Sequence, residues 1–259
     1  MFMIYGIVGE YRRFLLGRYR PQTAETYYKR LCTLLDGQSI RGKSDNLNYE
    51  LILGKLGLIK HKNHFSQAKN AFFRFCEFMG IELSSDILGY IEEMGASKKK
   101  KYRKLKQVDF SSVEKKIRYI RNKKLKLSFQ VMIATGLRVS ELADITTNDS
   151  AIHDDRLSFA FIGKGGSLDM TTIQKREYPK LCKDLSKLIE STPRDRKIFY
   201  SAVYLQSKAR KLGFTCLDLR RACAKLEYKK SRSKLVVRRK LRHSSIRTTN
   251  IYLRSKVKV

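Results

Sequence analysis

LRHSSIRTTNIY, residues 241–252, is the most informative stretch of this chain. It places His243 nine residues before Tyr252, across a turn and into a short segment of helical character. The imidazole and the phenol are two ionisable groups on one short segment. Both are candidate site residues, and their meaning depends on three further features upstream.

These three features lie between residues 135 and 221. In TGLRVSEL, residues 135–142, Gly136 is predicted to end one helix and Arg138 to begin the next, where a guanidinium and a helix dipole can act together on an anion. GKGG, residues 163–166, separates two β-prone runs at 157–162 and 168–174, which predicts a hairpin with Lys164 at its tip. LDLRR, residues 217–221, opens a predicted helix that carries Arg220. Each feature alone is common on protein surfaces, so their order matters more than any one of them.

The charge of the chain points to a polyanionic partner. The 259 residues contain 56 Lys and Arg against 24 Asp and Glu, a net charge of +32. An excess of this size repels itself unless it meets a polymer such as DNA or RNA, which favours nucleic acid over a merely solvated basic surface. No apolar run approaches the roughly 18 residues that a membrane helix needs, and no basic amphipathic segment adjoins an apolar anchor. A membrane partner is therefore not expected.

Cysteine and histidine usage bounds the cell compartment and the metal content. The five cysteines are odd in number and scattered, without a C-x-x-C pair, which argues against a disulfide framework and a zinc finger. They favour a reducing, cytoplasmic setting, in which free cysteines act as small core residues. His61 and His64 are three residues apart but lack further ligands nearby, so no metal site is expected.

The chain divides into two predicted domains. Residues 1–96 show helical periodicity, with apolar stripes over 23–35 and 65–79 that predict a small bundle. Residues 97–106, SKKKKYRKLK, read as a basic linker that can also lie along a phosphate backbone. Residues 107–259 are again helical, with one helical pattern over 111–136, the predicted hairpin, and helices from 181 onward.

The basic segment 228–242 is interpreted either as a charged loop or as phosphate contacts beside the site. The predicted DNA contacts are Lys98, Lys99, Lys100, Lys101, Arg103, Lys104, Arg238, Arg239 and Arg242.

Taken together and in this order, the four features resemble the motifs of the tyrosine recombinase (phage integrase) superfamily, in particular its Xer-like and archaeal viral-type integrases. TGLRVSEL looks like the family's first arginine motif, Lys164 falls where the family carries a hairpin lysine, and residues 241–252 are similar to L-G-H-S-x-x-x-T-T-x-x-Y. The resemblance covers the chain from about residue 107 and extends loosely to 23–35. It implies a mainly α fold with a small β-hairpin sheet, in which a helical, SAM-like core-binding domain (1–96) and a catalytic domain (107–259) form a C-shaped clamp on duplex DNA.

The resemblance also implies roles for individual residues. Arg138 and Arg220 would hold the non-bridging oxygens of a phosphodiester, which suits their paired donors. Tyr252, activated by these cations, would attack the phosphorus and form a 3′-phosphotyrosine. Lys164 would protonate the 5′ oxygen that leaves, and His243 would hydrogen-bond the phosphoryl group. No cofactor or metal is implied, and the expected partners are a specific DNA site and further copies of the chain, as a dimer to tetramer.

Three departures from the family pattern bear on activity. The family motif H-x-x-R would place a histidine where this chain has Leu217, and Arg242 replaces the usual glycine before the histidine. The sequence ends seven residues after Tyr252, whereas many relatives use a longer tail to contact a neighbouring protomer.

The predicted function is strand cleavage and rejoining for integration or excision of a mobile element, such as a viral genome, or for replicon resolution. The alternatives are a catalytically impaired DNA-binding relative, a basic RNA-binding protein and a topoisomerase-like enzyme.

Overall fold

The structure is a computed structural model that describes residues 5–38, 40, 47–98, 107–163 and 166–259. It divides into two compact units, Met1–Lys104 and Leu105–Val259. The boundary between them lies within residues 97–106, most of which are outside the described ranges. The interpretation of that stretch as a flexible basic linker therefore stays a prediction.

The first unit is helical throughout its described residues. Its helices are α1 (Tyr5–Arg18), α2 (Pro21–Leu35), α3 (Tyr49–Leu58), α4 (Lys62–Met79) and α5 (Ser85–Ser97). The apolar stripes predicted over 23–35 and 65–79 are confirmed as the buried faces of α2 and α4. Asn48 and Ser84 begin α3 and α5 by accepting a backbone N–H with their side chains, as expected at helix starts. Tyr11 donates its hydroxyl to the carbonyl of Ala71 (2.9 Å), which ties α1 to α4 inside the core.

The second unit is mainly helical and carries two small sheets. Its helices are α6 (Phe110–Arg118), α7 (Lys123–Thr135), α8 (Val139–Asp144), α9 (Pro179–Ser191), α10 (Ala202–Lys211), α11 (Cys216–Ser231), α12 (Lys234–Leu241) and α13 (Ile246–Leu253). Its strands are β1 (Val108–Asp109), β2 (Ser150–Ile152), β3 (Arg156–Ile162), β4 (Leu168–Gln174) and β5 (Val257–Lys258). The predicted fold class, mainly α with a small sheet, is confirmed.

The predicted hairpin is the antiparallel pair β3–β4. Strand order in its sheet is β2-β3-β4, and the register places Phe161 opposite Asp169 and Ile162 opposite Leu168. Gly163 closes the pair by donating its backbone N–H to the carbonyl of Ser167 (2.8 Å). Residues 164 and 165 lie outside the described ranges. The second sheet is a short parallel pair in which Val257 of β5 lies opposite Val108 of β1.

Two segments differ from the sequence prediction. The single helix predicted over 111–136 is interrupted at 119–122, because the Asn122 side chain accepts the N–H of Leu125 (2.8 Å) and so starts a new helix, α7. The charged-loop interpretation of 228–242 is wrong, since α11 continues to Ser231 and α12 follows directly. Lys240 forms an ion pair with Glu227 (2.6 Å), which joins these two helices.

Among the described glycines of this unit, Gly136 has the least space for a side chain. It ends α7 in the left-handed conformation, with φ +66°. A Cβ at this position would overlap the buried side chain of Leu241 and lie 3.1 Å from the sulfur of Cys223. The glycine therefore serves both the backbone turn and the packing of α7 against α11 and α12.

We expect Gly136→Ala to lower the free energy of unfolding by about 2–4 kcal/mol. An alanine in the left-handed conformation is strained, and its Cβ also overpacks the core, so the two costs add. Gly80→Ala is the matched control, because Gly80 also has a positive φ (+74°) but nothing within 4 Å of an added Cβ. Its loss should be about 1 kcal/mol. Urea unfolding of both variants measures the difference, and equal losses would show that packing at Gly136 is unimportant.

Candidate active site

Arg138 begins α8 and is held by the carboxylate one turn later. Its backbone N–H donates to Oε2 of Glu141 (2.8 Å), and its guanidinium Nη1 donates to Oε1 of the same carboxylate (2.5 Å). The Glu141 side chain is only 3% exposed, whereas that of Arg138 is 31% exposed. The buried carboxylate thus fixes the arginine from the protein side, and the other donors of the guanidinium remain available to solvent or a ligand.

Arg220 lies in the first turns of α11 and is almost completely buried, at 2% exposure. Thr215 and Asp218 start this helix with reciprocal hydrogen bonds, so the position of Arg220 follows from a local sequence signal. The Arg220 guanidinium donates to the carbonyls of Gly136 and Leu241, which end α7 and α12. Burial, followed by the nearby charge of Arg138, lowers the pKa of Arg220 from its ordinary value, although an arginine remains charged.

Arg242 is a third arginine at the same carboxylate. Its Nη2 lies 3.6 Å from Oε2 of Glu141, and Nη1 of Arg220 lies 3.9 Å from that oxygen. One negative charge therefore faces three positive charges in a largely buried space. Uncompensated buried charge is costly, so such a cluster is arranged for an anion that arrives from outside.

His243 and Tyr252 lie in contact in the structure. Their rings are in edge-to-face contact with centroids 4.6 Å apart. Nδ1 of His243 shares a hydrogen bond with the hydroxyl of Thr249 (3.0 Å), one turn before Tyr252 on α13. Burial, together with Arg220, Arg138 and Arg242, lowers the pKa of His243 to about 4, so the imidazole is neutral at physiological pH.

Arg138, Arg220 and Tyr252 meet at a cavity of about 370 Å³. The cavity is large enough for a phosphodiester and open to solvent on one side. Its other lining residues are Val139, Gln206, Arg210, Thr215, Cys216 and Leu217. The guanidiniums of Arg138, Arg210 and Arg220 and the phenol of Tyr252 around one open space can bind an anion and attack it.

Leu217 lies at this cavity with 43% of its surface exposed. It can neither accept nor donate a proton, so the position that would hold a histidine in the family motif offers only apolar surface. The neighbouring Cys216 is buried, and burial raises the pKa of its thiol to about 11. A neutral thiol cannot replace the missing imidazole as a base.

The other predicted site residues are distributed differently. Lys164 and the predicted contacts Lys99, Lys100, Lys101, Arg103 and Lys104 lie outside the described residues. Lys98 folds back onto the first unit, where it donates to the carbonyl of Gly57 (2.6 Å). Arg239 is exposed on α12, and its DNA contact stays a prediction.

Two predicted DNA contacts on α12 and its end are engaged within the protein. Arg238 donates to the carbonyls of His243 (3.1 Å) and Ser244 (2.9 Å), and so holds the turn between α12 and α13. The side chain of Arg242 is only 14% exposed, at the carboxylate cluster described above. Its polar atoms are directed at carboxylates and a carbonyl of this unit, which differs from the DNA contact that the sequence predicted.

Sequence reasoning missed Glu141 and Arg210. Glu141 follows Arg138 by three residues on a short helix, which is an ordinary position for a surface glutamate. The signal that could have identified it is the capping-box spacing, in which a glutamate reaches back to the first residue of its helix. Arg210 lines the cavity from α10, and its place depends on tertiary packing alone.

The neutral buried His243 predicts a pH dependence of stability. Its folded-state pKa of about 4 is below the ordinary value of 6.5, so the unfolded chain binds the proton more readily. This contribution to stability is fully present above pH 6.5 and is lost as the pH falls toward 4. We expect His243 to account for about 2 kcal/mol of the stability lost between pH 7.5 and pH 5. Chemical unfolding of wild type and His243→Gln at both pH values measures this difference, and parallel pH profiles would contradict it.

The described residues contain neither a cluster of metal-ligating side chains nor a helix suited to cross a membrane. Within them, no three or more His, Cys, Asp or Glu side chains are grouped so as to hold a metal ion. Their helices include none with both the length and the apolar character needed to cross a membrane.

Comparison with known proteins identifies the fold. No protein-family model matches the chain, and no curated protein gives a significant match to it. Solved structures do match. Lambda integrase (residues 75–356) bound to DNA has a TM-score of 0.66 and 15% identity, covering 98% of this chain and 96% of that one. The XerH site-specific recombinase bound to difH substrate has a TM-score of 0.64 and 16% identity, covering 90% and 77%.

A third match, the Tn1549 transposon integrase (residues 82–397) in complex with circular intermediate DNA, has a TM-score of 0.60 and 14% identity and covers 95% of this chain and 94% of that one. At these identities the likeness concerns the fold, and it extends over nearly the whole chain in each case. The chain therefore has the fold of the tyrosine recombinases, the superfamily that the motifs of residues 135–252 resemble.

Proposed function

We propose that this chain is a site-specific tyrosine recombinase that cleaves and rejoins duplex DNA through a 3′-phosphotyrosine at Tyr252. The observation that carries the proposal is the cavity at which Arg138, Arg220 and Tyr252 meet. The arginines surround a single buried carboxylate, so the site has an excess of positive charge before any ligand binds. A phosphodiester is an anion that supplies the missing negative charge and the electrophile.

In the proposed cleavage step, the Tyr252 oxygen attacks phosphorus and the bond to the 5′ oxygen breaks. Arg138 and Arg220 bind the non-bridging oxygens, whose charge increases in the transition state. Lys164 gives the leaving oxygen a proton, so that a 5′ hydroxyl is released. The phenolic proton passes to solvent in the open cavity, because Leu217 offers no acceptor. Rejoining is the reverse step with a 5′ hydroxyl from another strand.

His243 has two roles in this proposal. Its ring packs against the Tyr252 ring and so orients the phenol, while Thr249 fixes the imidazole through Nδ1. Its Nε2 is buried and makes no hydrogen bond to the described protein atoms, and this is the atom we assign to the phosphoryl group. A neutral imidazole can still donate this hydrogen bond when Nε2 carries the proton.

The wider function follows from the fold and the charge. We assign residues 1–96 to a core-binding domain and residues 107–259 to the catalytic domain, and in the proposed complex both bind duplex DNA. The net charge of +32 supports phosphate binding over a large surface. Assembly of two to four copies on a specific site would allow strand exchange for integration or excision of a mobile element or for replicon resolution.

The proposal is tested by covalent capture. The protein is incubated with a sequence-randomised duplex library and with fragments of its source replicon, denatured, and the attached DNA is sequenced. We expect adducts at one sequence family, resistant to exonucleases that start at a 3′ end. Attachment to 5′ ends would contradict the proposed step. Preference for structured RNA over duplex would indicate the RNA-binding alternative, and relaxation of plasmids that lack the captured site would indicate a topoisomerase.

Leu217 favours one second candidate, a DNA-binding protein with impaired cleavage. Leu217→His places an imidazole at an exposed position of the cavity, where it can accept the phenolic proton. We expect this variant to form the adduct about 100 times faster than wild type, the lower end of the usual effect of a general base. Leu217→Gln is the control, because it is polar but not basic. If only the histidine variant forms adducts, the wild-type protein is the binding-only relative.

A further inference from the structure

Arg242 occupies a backbone position that favours glycine. It ends α12 with φ +53° and ψ +48°, in the left-handed region where a side chain adds strain. The family pattern that residues 241–252 resemble has glycine there. A strained arginine at this position is retained by its side-chain contacts, and those contacts are with other elements of the unit.

The side chain of Arg242 joins α12 to the hairpin. Its guanidinium lies over the ring of Phe161 on β3 (4.8 Å to the centroid), and its Nε lies 3.6 Å from Oδ2 of Asp169 on β4. Phe161 and Asp169 are direct cross-strand partners, two residues from the glycine-rich turn. Arg242 therefore contacts both strands at the same rung of the ladder, close to the end of the hairpin.

The same guanidinium reaches the arginine cluster. Its Nη2 is 3.6 Å from the Glu141 oxygen that also accepts the backbone N–H of Arg138. Its Nη1 donates to the carbonyl of Lys240 (3.0 Å), which fixes the guanidinium relative to the end of α12. One planar group thus connects the hairpin, the Glu141 carboxylate that holds Arg138, and the last turn of α12 at Lys240.

We propose that Arg242 is a positioning residue that fixes the end of the β3–β4 hairpin in place relative to Glu141 and Arg138. Its fork of donors suits this task, because a guanidinium can address two carboxylates and an aromatic face at once. This inference deepens the proposed function, since the hairpin carries Lys164. It also assigns Arg242 a role different from direct DNA contact.

Arg242→Gly tests the proposal without endangering the fold, because glycine suits the left-handed backbone. Asp169→Asn is the companion variant that removes only the charge contact with the hairpin. Arg239→Ala, an exposed arginine on the same helix, controls for loss of charge. Amide hydrogen exchange is followed in peptides that cover residues 157–162 and 168–174, with α7 and α9 as internal references.

We expect exchange at the hairpin end to be about 10 times faster in Arg242→Gly and Asp169→Asn, with reference helices unchanged and no further increase in the double variant. Unchanged hairpin exchange, or equal acceleration in Arg239→Ala, would overturn the proposal. This readout needs no DNA, so it decides the role of Arg242 even if the protein forms no phosphotyrosine.

A cleavage assay on the captured site then tests the consequence for chemistry. A bridging phosphorothiolate places sulfur at the leaving position, which departs without protonation. Misplacement of the hairpin should slow cleavage of ordinary DNA by about 10–100-fold in Arg242→Gly, but leave cleavage of the phosphorothiolate near the wild-type rate. Equal slowing on both substrates would show that Arg242 acts on the arginines alone and would overturn its role in holding the hairpin.

Discussion

Replacing Tyr252 by phenylalanine should abolish covalent capture of DNA and leave the protein folded. The substitution removes only the hydroxyl oxygen, while the ring that packs against His243 is retained. Among the described lining residues the one thiol is that of Cys216, and burial raises its pKa to about 11, so it stays neutral at physiological pH. We therefore expect loss of the adduct beyond detection, with a midpoint of thermal unfolding close to that of wild type.

Tyr228→Phe is the matched control for this prediction. Tyr228 packs against the same small cluster as Tyr252, so its replacement tests a nearby tyrosine that has no role in the proposed chemistry. Duplex binding by Tyr252→Phe should remain, since Arg138 and Arg220 are unaltered. Adduct formation by Tyr252→Phe at any appreciable rate would move the nucleophile to another residue.

Glu141→Gln should cause the second large effect, on stability. The carboxylate is the only negative charge within ion-pair distance of Arg138, Arg220 and Arg242 together among the described residues. An amide keeps the size and the acceptor for the backbone N–H, but it removes the counter-charge of Arg138 and Arg220 and leaves Arg242 with Asp169 alone. Because removing one partner of a buried ion pair typically costs 3–5 kcal/mol, we expect the free energy of unfolding to fall by about 3 kcal/mol.

Asp144→Asn on the same helix provides the control, because Asp144 is paired with Lys197 at the surface (2.7 Å). Exposed pairs contribute little, so its replacement should change stability by less than about 1 kcal/mol. Inorganic phosphate or DNA should also stabilise Glu141→Gln more than wild type, since a bound anion replaces the negative charge that the variant lacks beside the arginines. Equal losses for the two variants, measured by urea unfolding, would contradict the assignment of Glu141 as the anchor of the arginines.

Local signals explain which parts of the site were predictable. Gly136, followed by Arg138, marks a helix end and a helix start within a few residues, and the glycine-rich turn marks the hairpin in the same way. Thr215 begins α11 through a capping box, which fixes where Arg220 falls. Each of these features depends on residues close together in sequence, and the structure agrees with the predicted helix boundaries around Arg138, the hairpin and the helix that carries Arg220.

Features that depend on tertiary packing were not predictable. Glu141 is buried only because arginines from α8, α11 and the end of α12 converge on it. Arg242 looked like one more basic residue in a basic segment, and its contacts with Phe161 and Asp169 require the hairpin to pack beside α12. Likewise, the interruption before α7 rests on Asn122, a weak signal between two strong apolar stripes.

The most direct test of the account identifies the residue that carries the DNA. After covalent capture, the adduct is digested with nuclease and trypsin, and the modified peptide is sequenced by mass spectrometry. Cleavage after Arg247 and Arg254 yields TTNIYLR, residues 248–254, in which Tyr252 is the single tyrosine. The account predicts a nucleotide joined through its 3′ phosphate to this peptide at Tyr252. A nucleotide on any other peptide, or joined through its 5′ phosphate, would contradict it.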